Sequence, residues 1–244
     1  MATGSDRPQS AEMTPGPGFR YRRNTRGPSP EVIRRFSAFA AADVSDMMNR
    51  LYTMEPAIKP VTPRTLRLLG PACTVKVFPG DNLMVHKSLD LANPGDILVI
   101  DASSSMMTAV IGDLVSTKAR HRGIAGVVVD GLVRDVDKIL ALGDLPVFAR
   151  GTTPLGPLHR GPGEVNYPVS VGGIVVNPGD VIVGDADGVV VVPQDSAEAM
   201  LARLDARAAG AAEYEAAVAR GDFSNAWVDT MLANADLEAE PDLG

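Results

Sequence analysis

Ile111-Gly112-Asp113-Leu114-Val115-Ser116-Thr117-Lys118-Ala119-Arg120-His121-Arg122-Gly123-Ile124-Ala125-Gly126-Val127-Val128-Val129-Asp130-Gly131-Leu132-Val133-Arg134-Asp135 is the stretch from which the rest of the chain is read. Gly112-Asp113 opens a helix, and Gly123 suits the left-handed residue that ends one. Gly126 to Val129 is a short apolar run of the kind that forms a buried strand. Arg134-Asp135 then stands at the start of another helix. Helix, turn, strand and helix in this order can gather two carboxylates, a guanidinium and a helix N-terminus in one cleft.

Outward from this stretch, strands are expected at 72–78, 126–129, 146–149, 174–176, 181–184 and 188–193. Helices are expected at 111–122 and 135–142, the second ended by Gly143. Ser29-Pro30-Glu31 is a helix start with Pro just inside the cap. A short helix follows from Asp43 or Ser45 to Leu51, and another from Asn82 to about Leu91. One phrase occurs twice: Asn93-Pro94-Gly95-Asp96 before Ile97-Leu98-Val99-Ile100-Asp101, and Asn177-Pro178-Gly179-Asp180 before Val181-Ile182-Val183-Gly184-Asp185. Pro-Gly at the centre of a type II turn explains the first half of each copy, and a buried strand the second. Asp195 to Arg220 reads as a long helix with Gly210 as its weak point. An amphipathic piece around Phe223, Trp227 and Leu232 follows, then an acidic tail.

Helices and strands alternate only in the middle of the chain. The fold class is therefore α/β, with layered sheets plus helices and a helical C-terminal extension, not a regular doubly wound sheet or barrel. Residues 1–28, rich in Pro, Gly, Ser and Arg, are expected to be a disordered or loosely docked arm. Residues 29–194 form the main domain, and 195–244 the extension.

At 244 residues the chain suits one large domain with appendages, able to bury roughly 70% of its unfolded surface. Apolar residues make up 45% and aromatics 5%, so the core rests on Val, Leu, Ile and Ala. A net charge of −7 argues against a nucleic-acid partner, because little is left to neutralise a phosphate backbone. A single cysteine, Cys73, excludes an internal disulfide framework, fits a cytoplasmic location and reads as a packing residue. No apolar run approaches the roughly 20 residues of a membrane helix. Arg22-Arg23 is not followed by an apolar segment, so export is set aside.

The first amides of the helix opened by Gly112-Asp113, those of Gly112, Asp113, Leu114 and Val115, lack intrahelical acceptors and can receive a carboxylate. Arg134 suits a bidentate bond to a carboxylate or a brace for a ketone oxygen. Asp135 is a hard oxygen ligand for Mg²⁺, which often uses one or two carboxylates and keeps several waters. Each residue also has a structural reading. Asp135 would cap the next helix, Asp113 would complement a helix dipole, and Arg134 would be half of a salt bridge.

Taken together, Asp113, twenty intervening residues and Arg134-Asp135 resemble the signature of the 4-hydroxy-4-methyl-2-oxoglutarate aldolase family, which includes the RraA-like regulators of ribonuclease activity. Val44-Ser45-Asp46, Asp81-Asn82-Leu83-Met84 before His86, Pro94-Gly95-Asp96, Gly161 to Asn166 and Gly184 to Val189 resemble it as well, over about residues 30–232. The resemblance implies a swivelling β/β/α domain, assembled as a homotrimer or a dimer of trimers. It places a 2-keto acid carboxylate on the amides of Gly112 through Val115 and on Arg134. It also places a divalent metal, Mg²⁺ or Mn²⁺, directly on Asp135 and through water on Asp113. Glu213, from a neighbouring subunit's C-terminal helix, is the candidate for a further carboxylate. The implied activity is cleavage of a 4-hydroxy-2-keto dicarboxylic acid to pyruvate through an enolate, with oxaloacetate decarboxylation as a side reaction. The rival is a non-catalytic trimer that regulates a partner protein. The helix that carries Glu213 departs from the family pattern, and so does the polar crowding at Lys118, Arg120 and His121, which bears on which substrate tail fits.

Other chemistries find less support. None of Lys59, Lys76, Lys87, Lys118 and Lys138 has an obvious context that lowers its pKa for a Schiff base; Lys76 reads as the wet face of a strand. His86, His121 and His159 are far apart in sequence and read as surface or loop residues, without zinc-ligand spacing. Asp185-Ala186-Asp187-Gly188 reads as a tight turn between strands, since a calcium loop would need a Glu where Ser196 stands. No glycine-rich turn has a nucleotide-binding pattern.

Overall fold

A computed structural model describes residues 12–23, 26–235 and 237. Most of the N-terminal arm's first half and the acidic tail lie outside these. The chain divides into two compact units, one to Ala202 and one from Arg203.

In chain order the strands are β1 (Phe19–Tyr21), β2 (Lys59–Pro60), β3 (Leu68–Val77), β4 (Ile97–Asp101), β5 (Ala109–Ile111), β6 (Gly126–Val133), β7 (Val147–Thr152), β8 (Gly163–Val165), β9 (Val169–Val171), β10 (Ile174–Val176), β11 (Val181–Asp185) and β12 (Gly188–Val192). The helices are α1 (Pro30–Arg35), α2 (Ala41–Met47), α3 (Leu83–Ser88), α4 (Asp113–His121), α5 (Val136–Leu140), α6 (Ala197–Ala219) and α7 (Ala226–Asn234).

The centre of the sheet is β3-β4-β6-β7, all parallel, with β8 and β1 beyond β3 and β2 beyond β7. Alternate residues of each central strand serve opposite cores. Leu98 and Ile100 of β4, with Val127 and Val129 of β6, pack with Val85 and Leu89 near α3, Val115 and Ala119 of α4, and Ile139 of α5. Ile97, Val99 and Val128 face the other way, onto Val169 and Val171 of β9, Val176 of β10, Ile182 of β11 and Val189 and Val191 of β12. Helices cover one face and a second strand layer the other. That is why the central strands are unbroken apolar runs, and it gives the β/β/α layering expected of the sequence.

The duplicated Asn-Pro-Gly-Asp phrase folds the same way twice. Asp96 Oδ2 accepts from the Asn93 amide and Asp180 Oδ2 from the Asn177 amide, each at 2.8 Å. Gly95 and Gly179 take φ of 93° and 90°, as the turn requires. Burial raises the pKa of both aspartates, against the opposing pull of these amides. The Asp185–Gly188 segment is the tight β11–β12 turn. Cys73 is buried in the helix-side core, and burial pushes its thiol pKa up.

Some boundaries differ from the sequence reading. β1 lies within the segment expected to be a loose arm; it pairs in parallel with β8, and Arg20 Nε lies 2.6 Å from Glu164 Oε1. β5, β8 and β9 have three residues each, too few for alternation to register. α5 is shorter than expected, and Gly143, at φ 80°, closes its end through Leu140 O. α6 begins by burying Ala197, Met200 and Leu201. The second unit holds the rest of α6 and α7, with Tyr214, Trp227 and Met231 exposed. No helix among the described residues is long and apolar enough to cross a membrane.

Candidate active site

β5 and β6 run parallel, with Ala109 beside Leu132 and Ile111 beside Val133. The residues that leave their C-terminal ends are Gly112-Asp113 and Arg134-Asp135. One crossover through α4 thus closes the twenty-residue gap between them. The Arg134 amide donates to Ile111 O at 3.0 Å and locks the two exits together.

Two glycines make room for the guanidinium. A β-carbon on Gly112 would lie 2.5 Å from Asp135 Oδ2 and 3.2 Å from Arg134 Nε. On Gly156, in the loop between β7 and β8, it would lie 2.3 Å from Arg134 Nη1. Any side chain at either position displaces Arg134. Gly156 was not foreseen, because nothing local marks a turn that folds back over a residue twenty-two positions earlier.

Asp135 precedes α5 in the left-handed region, at φ 57°, and its side chain makes no capping bond. The capping reading is therefore overturned: the carboxylate turns toward Arg134 Nε, 3.3 Å away. Aspartate tolerates this conformation better than most residues, yet such strain is found mainly where a side chain must be aimed. Asp113 Oδ2 accepts from Lys138 Nζ at 3.0 Å, and Oδ1 accepts from the Leu114 amide at 2.9 Å. The Lys138 hydrogen bond is the main reason that the Asp113 pKa lies below the ordinary carboxylate value; the Leu114 amide and Asp135 add to it.

Asp113 and Arg134 line a cleft of about 160 Å³ together with Gly112, Leu114, Val115, Asn82, His86, Lys118 and His159 among others, and Asp135 contacts Arg134 beside it. Of the four helix-start amides, that of Leu114 is turned to Asp113. Ser116 holds the turn through its hydroxyl, which donates to Gly112 O at 2.9 Å. A larger apolar hollow of about 510 Å³ beside Phe19, Tyr21, Leu83 and Met84 has no carboxylate in its wall, whereas the smaller cleft holds Asp113 beside Arg134.

The histidines depart from their sequence reading. His86 on α3 and His159 in the β7–β8 loop meet edge to face, with ring centroids 5.5 Å apart, at this cleft. Buried Asn82 organises them. Its Nδ2 donates to Val110 O at 2.9 Å, so its Oδ1 must accept from His159 Nδ1, 2.6 Å away. That leaves Nε2 facing away from Asn82, an acceptor when the ring is neutral and a donor when it is protonated. Asp81 ties the same loop to α3 by accepting from the Leu83 and Arg160 amides at 2.8 and 2.6 Å. The His86 pKa is lowered, first by burial and then by the charges of Lys118 and His159. Lys76 is on the wet face of β3, 3.0 Å from Asp101 Oδ2.

Among the described residues no three His, Cys, Asp or Glu side chains form a metal cage. Asp113 and Asp135 do offer two hard carboxylates beside each other, one already neutralised by an ammonium. That donor set fits Mg²⁺ or Mn²⁺ with a shell completed mainly by water. Glu213 is exposed on α6, in the second unit.

Comparison with known proteins bears on the family and the fold. Residues 41–191 match the family described as RraA-like, Aldolase/RraA. A Halalkalibacterium halodurans protein named "Putative 4-hydroxy-4-methyl-2-oxoglutarate aldolase" is 40% identical over 203 residues, covering 83% of this chain and 96% of the relative. Among solved structures, an uncharacterized Pseudomonas syringae protein superposes with a TM-score of 0.72 at 28% identity, over 82% of this chain and 97% of the other. Streptomyces coelicolor RraAS2, described as an unusual member of the RNase ES inhibitor RraA family, gives 0.69 at 28% identity, over 80% of this chain and 100% of its own. The chain belongs to the RraA-like family.

Proposed function

We propose that the protein is a divalent-metal-dependent carbon–carbon lyase that cleaves a 4-hydroxy-2-keto dicarboxylic acid, such as 4-hydroxy-4-methyl-2-oxoglutarate, to pyruvate, and that decarboxylates oxaloacetate at the same site. The observation that carries this reading is the convergence of Asp113, Arg134, Asp135 and the first amides of α4 at the paired ends of β5 and β6.

The amides of Gly112, Asp113 and Val115, with Leu114 once released from Asp113, receive the substrate carboxylate at the positive end of α4. Arg134, given room by Gly112 and Gly156, donates to that carboxylate and to the C2 ketone oxygen. Asp135 would ligate Mg²⁺ or Mn²⁺ directly and Asp113 through water; when bound, the cation polarises the ketone and offsets the charge that builds there. Asp113, kept ionised by Lys138, orients the water that takes the C4 hydroxyl proton. The C3–C4 bond then breaks, its electron pair passing into a pyruvate enolate whose oxygen Arg134 stabilises. The water oriented by Asp113 returns the proton to C3, which completes pyruvate. Loss of CO₂ from oxaloacetate leads to the same enolate, so one set of groups serves both reactions.

The assembly proposed is a homotrimer or dimer of trimers, in which the C-terminal extension of one subunit brings Glu213 to a neighbour's site. A second reading, a non-catalytic regulator of a partner protein, draws on the likeness to RraAS2. A coupled assay for pyruvate from oxaloacetate with Mg²⁺ or Mn²⁺ separates the two. Turnover that chelation removes supports the lyase, and absence of turnover with every keto acid tried supports the regulator.

A further inference from the structure

Two sets of charged and titratable groups line the cleft. Asp113 responds to Lys138 and Asp135, whereas His86 responds to Lys118, His159 and Asp81. Lys118 follows Asp113 by five residues on α4, roughly 7.5 Å along the axis at the usual helical rise. Its neighbours in sequence are spoken for: Arg120 pairs with Asp144 at 2.6 Å and Arg122 with Asp90 at 2.8 Å. Lys118 has no carboxylate partner among the described residues and lines the cleft. Three cationic or protonatable groups from three elements, α3, α4 and the β7–β8 loop, therefore share a wall, and the one carboxylate acting on His86 there, Asp81, is buried and occupied by two backbone amides.

We propose that Lys118, His86 and His159 form a proton-linked anion subsite that takes the second carboxylate of a 2-keto dicarboxylic acid and sets preference for such substrates over 2-keto acids with neutral tails. The proposal rests on the reading of the Arg134 end as a 2-keto acid site. Asn82 fixes the His159 ring, so the subsite is aimed before ligand arrives. In the free protein His86 holds its proton poorly, because burial, Lys118 on α4 and His159 on the loop oppose a charge there and Asp81, before α3, only partly offsets them. An arriving carboxylate reverses this balance and raises the pKa, so binding takes up a proton. Affinity for a dicarboxylate then rises as pH falls through the range where the free and bound forms differ in protonation.

The test is isothermal titration of the full chain with Mg²⁺ present, using two probes. Oxalate fills the Arg134 end alone; 2-oxoglutarate also reaches the far wall. The expected result is 2-oxoglutarate binding about 10-fold tighter near pH 6 than near pH 8, one pKa unit's worth, with proton uptake seen as a buffer-dependent enthalpy. Oxalate should show no proton uptake. Lys118→Met should weaken 2-oxoglutarate by about 10-fold, the scale of one charge-assisted hydrogen bond, and leave oxalate within about 2-fold, while Lys118→Arg retains both. Equal effects of Lys118→Met on the two probes, no effect on either, or absence of proton uptake with 2-oxoglutarate would overturn the subsite alone. Failure of oxalate to bind the unmodified protein would overturn the reading of the Arg134 end, and the subsite with it.

Discussion

Gly112 and Asp135 occupy each other's space: a β-carbon on the first would stand 2.5 Å from Oδ2 of the second. Gly112 itself has an extended backbone, φ −144°, so its requirement for glycine comes from this approach and not from conformation. Gly112→Ala should therefore fold, at a cost of about 1–3 kcal/mol for overpacking. It should lose pyruvate release by about 100-fold or more, because Arg134 and Asp135 are pushed off position. Thermal melts beside the coupled assay check both halves; an Ala variant with ordinary turnover would show that the contact has no functional weight.

Asp135 pairs a strained backbone with an exposed functional group. Asp135→Gly relieves the left-handed strain but gains chain entropy when unfolded, and the two offset to within about 1 kcal/mol. Asp135→Ala keeps the strain. Denaturant titration should thus find the Gly variant at least as stable as the Ala variant, with both nearly inactive. An Ala variant clearly more stable than the Gly variant would contradict the strain argument.

Asn82 is buried, and both ends of its amide are used. Asn82→Leu leaves Val110 O unsatisfied and frees His159, which should lower stability by about 1–3 kcal/mol. The NMR signals of the His159 ring should also lose their single well-defined environment. Retention of both stability and ring order would mean that the network does not organise this wall.

How much of this could be read in the sequence follows from distance along the chain. The pairing of Asp113 with Arg134-Asp135 was legible because one parallel crossover has few ways to fold, and α4 and β6 announce themselves by period and glycines. The layered fold was legible from unbroken apolar runs such as Ile97 to Ile100. His159, Gly156 and β8 were not, since the β7–β8 loop crosses the cleft through backbone pairs such as the Leu158 amide to Gly80 O, which leave no periodic trace. β1 was hidden inside a Pro- and Gly-rich segment whose composition speaks for disorder, while its pairing depends on β8. Lys138 was visible only as one of five lysines without a context that lowers its pKa, and its place is set by Asp113 across on α4.

Lys138 gives a prediction with a definite sign. It holds the Asp113 pKa down, so the associated stabilisation is present above the unfolded carboxylate value, near 3.9, and is lost as pH falls through the folded value. Lys138→Met should raise the Asp113 pKa, read from its carboxyl carbon by NMR, and move the acid limb of the activity profile upward. Both groups are solvent-exposed enough that stability near neutral pH should scarcely change. An unshifted Asp113 titration in the variant would show that the ion pair is not formed in solution.

The central claim is that Arg134 and Asp135 act on a bound 2-keto acid, and single-turnover pyruvate release from oxaloacetate tests it most directly. With Mg²⁺ present, the unmodified protein should release pyruvate, while Arg134→Ala and Asp135→Asn should each be slower by at least about 100-fold, the range expected on losing a group that stabilises a developing oxyanion. Folded variants that release pyruvate at the unmodified rate would contradict the account.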